Sequence, residues 1–145
     1  MVHALEEILR LLKPDGCLID IHPVRKAPLI QIRLESAILF AEPGPLYDFE
    51  DLRHADEALD EVIQRGSFIV EGTGEFELVT YASSVNEMRD YWARSGAYDD
   101  SPKDATVVAQ EDKIYAKAAE IMRNAPGAEI RHGERVRVTR LNPIL

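Results

Sequence analysis

Leu5, Ile8, Leu9 and Leu12 recur at three- and four-residue spacing, with Glu6, Glu7, Arg10 and Lys13 filling the positions between. That period predicts an amphipathic helix over residues 2 to 13, ended by Pro14 with Gly16 supplying the turn. Met1 and Val2 offer no Ser, Thr, Asp or Asn cap, so the helix reads as one cut into at its start. The apolar run with Cys17, Leu18, Ile19 and Ile21 then predicts a buried strand over residues 17 to 22. In PLIQIRLESAILFAE (28 to 42), Ile30, Ile32 and Leu34 alternate, pause at Glu35-Ser36 and resume at Ile38 and Phe40, which predicts a β-hairpin.

Farther along, EPGPLYDFED is a loop by its Pro and Gly content. ADEALDEVIQRG (55 to 66) is a helix with Ala58, Leu59, Val62 and Ile63 inward and Gly66 as its stop. SFIVEGTGEFELVTYASS predicts two strands about a Gly72-Thr73-Gly74 turn, the second over 75 to 82. Ser83 or Ser84 followed by Glu87 forms a capping box for a helix reaching about Arg94, with Val85, Met88, Tyr91 and Trp92 inward. Gly96 to Lys103 is a polar loop; Met88, Tyr91 and Trp92 at helical spacing read as core, although Trp92 near Tyr98 could line a pocket mouth. A longer helix over 105 to 124, closed by Pro126-Gly127, buries Val107, Val108, Ile114, Tyr115, Ala118 and Ile121, and a last strand runs from 129 to 141.

Composition narrows the class. A chain of 145 residues, 46% hydrophobic and 30% charged, matches one folded domain. No apolar run approaches the roughly 20 residues that span a bilayer. The first helix carries charges that a secretory signal lacks, so the expected location is the cytoplasm. Cys17 is the one cysteine, and its apolar neighbours predict a buried thiol. A net charge of −9 argues against nucleic acid as a partner. ERVRVTR (134 to 140) reads as a strand with Arg135 and Arg137 on its solvated side and Val136 and Val138 on the other.

These residues also carry a family resemblance. HALEEILRLLKPDGCLIDIHP is similar to the class I S-adenosylmethionine-dependent methyltransferase segment that runs from the helix before the fifth strand through that strand, and reads like ALxEIxRvLKPGGxLlxxxP. Ala4, Leu5, Ile8, Leu11, Leu12, Lys13, Pro14, Gly16, Leu18 and Ile19 fall on this pattern, and Asp15 replaces its first glycine. FELVTYASSVNEMRDYWARSG resembles the sixth strand and its following helix, and GERVRVTRLNP resembles the final strand, which in the family is antiparallel and lies between the fifth and sixth. The resemblance implies an α/β fold: the C-terminal half of a Rossmann-like methyltransferase domain, a mixed sheet with flanking helices and an inserted β-hairpin.

In that family a glycine-rich turn after the first strand and an acidic residue ending the second hold the cofactor. The sequence has neither. EGTGEF (71 to 76) leads from strand to strand, not into a helix, and so fails the context such a turn requires. The expectation is a truncated methyltransferase-like protein that binds no cofactor alone, with S-adenosylmethionine held only where a partner chain supplies the missing half. The bare edge of the first strand predicts a homodimer or partner subunit meeting Leu5, Ile8, Leu9 and strand 17 to 22. The alternatives are a non-enzymatic homodimeric binding or scaffold module and one subunit of a split methyltransferase.

Candidate chemistry centres on Asp20 and His22, which share a strand face and could act as an acid/base pair, or bind metal with His54 or His132 as a third ligand in a hydrolase. His22, Pro23 and Tyr47 are the candidates to face substrate. The cluster of His54, Asp56, Glu57, Asp60 and Glu61 is explained by a solvated helix face, and His3 by a helix surface. No metal site is expected, and no GxSxG, CxxC, HExxH or P-loop pattern occurs.

Overall fold

The computed structural model describes residues 1–47, 50–96 and 104–144. Its elements, in chain order, are α1 (Val2–Leu11), β1 (Leu18–Pro23), β2 (Leu29–Leu34), β3 (Ala37–Pro43), α2 (Glu50–Gln64), β4 (Phe68–Ala82), α3 (Val85–Ser95), α4 (Ala105–Arg123) and β5 (Glu129–Pro143). The fold is α/β, with a five-stranded open sheet. β5 pairs with β1 through its C-terminal half, with β2 through its N-terminal half, and with β4; β3 closes the order as β1-β5-β2-β3. Where a mixed sheet was expected, the registered pairs are antiparallel. The reason is the position of β5, which separates β1 from β4.

The chain divides into two compact units, Met1–Arg25 with Asp48–Glu77 and Arg135–Leu145, and Lys26–Tyr47 with Leu78–Glu134. In the first unit, Leu5 of α1, Ala58, Leu59 and Val62 of α2, Phe68 and Leu141 form the core, and Val2, Leu9, Leu12, Leu18 and Ile63 pack against it. Burial of this kind stabilises by about 25 cal/mol per Å² of apolar surface. The end of α2 is sealed as its sequence predicts. Gly66, at φ 74, donates its N–H to the Ile63 carbonyl, and the Ser67 N–H reaches the Val62 carbonyl at 3.0 Å, the double closure that favours glycine at this position.

The second unit sets the β2–β3 hairpin and parts of β4 and β5 against α3 and α4. Ile30, Ile32, Phe40, Met88, Ile114, Tyr115, Ala118 and Ile130 are its buried centre. The hairpin turns at Glu35, a non-glycine residue with φ 53, and its register shifts between Ile32 and Arg33. Ser84 caps α3 by accepting from the Glu87 N–H, while the Glu87 carboxylate returns to the Ser83 N–H and hydroxyl. These bonds hold the Glu87 carboxyl below its usual range, the Ser83 side chain contributing most. Asp104 caps α4 in the same manner through the Thr106 and Val107 N–H groups.

Several expectations need correction. The Gly72-Thr73-Gly74 stretch is no turn but the middle of the continuous strand β4. Neither glycine has a positive φ. Cross-strand groups tie this stretch to β5: the Thr73 hydroxyl bonds the Val138 carbonyl at 3.3 Å, and Arg140 meets Glu71 at 2.6 Å. Second, β1 is not a buried apolar strand. Leu18, Asp20 and His22 are half-buried, whereas Ile19, Ile21 and Pro23 face outward. Third, Tyr91 is exposed on α3 and Cys17 is only half-buried. Tyr98 lies outside the described residues.

Candidate functional site

The first unit gathers a cluster of polar side chains that joins sequence-predicted candidates. β-strand alternation turns Asp20 and His22 to the same face of β1, as their spacing predicts. The His22 Nδ1 lies 2.6 Å from Asp20 Oδ2, and Nε2 lies 2.9 Å from Asp56 Oδ1 on α2. The His22 side chain is nine-tenths buried, whereas Asp56 is 39% exposed. Arg137 of β5 stands 3.7 Å from Asp56 and 3.9 Å from Glu75 of β4.

This geometry decides what the cluster can do. A carboxylate accepts and does not donate, so both ring nitrogens of His22 donate only when the imidazole carries two protons. His22 thus bridges β1 and α2, with one ring nitrogen against Asp20 and the other against Asp56. Among the described residues no group of three or more His, Cys, Asp or Glu is arranged to hold a metal ion.

The other metal candidates have separate surroundings. His54 sits on exposed α2 beside Glu50 at 3.6 Å and Arg53 at 3.2 Å. His132 of β5 is buried in the second unit against Trp92, with ring centroids 4.7 Å apart. Burial pushes its pKa down to about 4. Its Nδ1 and the Trp92 Nε1 have no hydrogen-bond partner among the described residues.

Of the substrate-facing candidates, Pro23 ends β1 in an exposed position. Tyr47 hydrogen-bonds to Glu111, and burial, with that carboxylate beside it, raises its phenol above the ordinary range. A shallow hollow of about 400 Å³ in the second unit is lined by Glu42, Pro43, Gln110, Lys113, Ile114 and Lys117, with Lys117 bonded to Glu42. Of the residues proposed to meet a partner, Leu5 is buried and Leu9 packs against the core, while Ile8 remains exposed.

Asp56 and Arg137 are the cluster members that the sequence pattern assigns to solvated faces. Asp56 is submerged in the acidic face of α2, and its only signal is its place in the first two turns of that helix. No protein-family model, curated protein sequence or solved structure matches the chain. No helix among the described residues is long and apolar enough to cross a membrane.

Proposed function

We propose that these residues form a methyltransferase-like sheet that does not bind S-adenosylmethionine by itself and works through association with another polypeptide. The observation that carries this reading is the position of β5 between β1 and β4, antiparallel to β1, together with the α1–turn–β1 unit whose sequence resembles ALxEIxRvLKPGGxLlxxxP. The residues present do not fit the cofactor. Gly72 and Gly74 stand inside β4 without positive φ, so they neither turn the chain nor lead into a helix whose N-terminus would receive a charged ligand.

A second reading, a binding module or one subunit of a split methyltransferase, is favoured by β1. Among the described residues this strand pairs with β5 only, and Ile19 and Ile21 are 47% and 60% exposed. Thermal-shift measurement on the full chain with millimolar S-adenosylmethionine and S-adenosylhomocysteine tests the main reading. Ligand stabilisation grows with free concentration over Kd, so the expected result is no shift with either. A clear rise in Tm with either compound would overturn it.

A further inference from the structure

Among the described residues β1 has one occupied edge and one open edge, and the backbone pattern shows which groups the open edge presents. The Val24 N–H donates to the Arg135 carbonyl at 2.9 Å, in the same register that pairs Leu18 with Leu141 and His22 with Arg137. Antiparallel pairs alternate between hydrogen-bonded and non-hydrogen-bonded. Residues 18, 20, 22 and 24 therefore bond toward β5, and Ile19, Ile21 and Pro23 point their backbone groups outward. The open edge offers two N–H donors, from Ile19 and Ile21, and three carbonyls. Pro23 has no N–H to lose there.

We infer that this edge pairs antiparallel with the same edge of a second copy, about a two-fold axis through Ile21. The register follows from the side chains. Residues directly opposite must share a sheet face, which limits a two-fold pairing to one centred on a residue. Centring on Asp20 would set the two Asp20 carboxylates face to face. Centring on His22 leaves only Ile21 N–H donors to reach the Pro23 carbonyls. Centring on Ile21 sets Asp20 of each copy opposite His22 of the other, and Ile21 opposite Ile21. It also sets Ile19 opposite Pro23, and four N–H groups find carbonyls. Apolar pairs at facing positions stabilise strand pairing, whereas like charges oppose it.

Of the other edge strands, β3 and β4, β4 is guarded against the same event. β4 carries Glu71, Glu75 and Glu77, and a two-fold pairing centred on any residue from 73 to 77 brings two of these glutamates together. Like charges on an edge are a recognised guard against self-pairing. β1 has no such guard, because its one carboxylate is matched by the histidine two positions on. The pairing deepens the association reading but does not depend on the chain's relation to methyltransferases. A shift with S-adenosylmethionine would sink that reading and leave the dimer standing, while a monomer would sink the dimer alone.

The short contact is expected to be weak, so sedimentation velocity on the full chain should be run up to about 100 μM, a range in which interfaces under about 1,200 Å² are commonly populated. Two 16.3 kDa chains give a dimer of about 33 kDa. In a Cys17→Ser background, Ile21→Cys should form a disulfide dimer, because hydrogen-bonded antiparallel partners sit about 5.5 Å apart at Cα and disulfides accept 4.4 to 6.8 Å. Ile19→Cys should not, since its two copies would be displaced by about 13 Å along the strand. Ile69→Cys on exposed β4 controls for random collision, and circular dichroism confirms that each variant folds. A species that stays monomeric, or Asp20→Cys and Ile69→Cys cross-linking as readily as Ile21→Cys, overturns the inference.

Discussion

Acid should weaken the second unit through one residue, His132. Its imidazole is buried on β5, against Trp92 and opposite Ile30 of β2, and desolvation lowers its pKa from 6.5 to about 4. The folded state thus keeps the ring neutral where the unfolded chain binds a proton. A lowered folded pKa gives stability that is complete above pH 6.5 and drains as pH falls toward 4, because stability rises with pH wherever the unfolded state binds more protons. The fall from 6.5 to about 4, at about 1.36 kcal/mol per pH unit, amounts to roughly 3 kcal/mol over the whole window. About 2 kcal/mol of this is gone by pH 5.

The assay compares the parent with His132→Leu in urea at pH 7, 6 and 5, following Trp92, the only tryptophan, which reports on the unit that holds the histidine. At pH 7 the two should lie within about 1 kcal/mol of each other, since leucine removes both the Trp92 contact and a buried nitrogen without a partner. Between pH 7 and 5 the parent should lose about 2 kcal/mol more than the variant. Other titrations, including those of Glu87 and Asp104, whose hydrogen bonds lower them, and Glu134, which burial raises, are common to both proteins and cancel in the difference. Parallel stability curves, or an imidazole that titrates near 6.5 by NMR, would refute the reasoning.

The remaining expectations concern local devices. His22→Leu should destabilise the first unit by about 2 kcal/mol, within the range for hydrogen bonds to charged groups and reduced by the exposure of Asp56; a double-mutant cycle with Asp56→Asn in urea should recover a coupling of about 1 kcal/mol, and additive effects would dismiss the clamp. Gly66→Ala should cost about 1 to 2 kcal/mol, because no atom crowds the new methyl and the whole penalty is that of a left-handed L-residue. Met88→Ala, at a fully buried position, should lower the urea midpoint by an amount equivalent to about 2 to 5 kcal/mol. Glu35→Gly relieves a positive φ and should raise stability by up to about 1 kcal/mol.

How much of this molecule its sequence discloses depends on how far away the deciding partner lies. The hairpin, the Ser84 cap and the Gly66 closure were legible because each is settled within about six residues, by alternation, by a side-chain oxygen near a free N–H, or by a φ that glycine adopts freely. β4 was misread because Gly72-Thr73-Gly74 has the local composition of a turn. What keeps it extended is Thr73 bonded to a β5 residue 65 positions away, together with the Arg140–Glu71 pair, and no window along the chain contains both partners. β1 fails in the same way. Its isoleucines would be inward by hydrophobicity alone, but Asp56, 34 positions from His22, supplies the acceptor that draws the polar face in. Strand alternation then leaves Ile19 and Ile21 no choice but the outer face. The exposed isoleucines and the buried clamp are one structural fact, so a substitution that releases His22 should also loosen the orientation that presents Ile21 to a second copy.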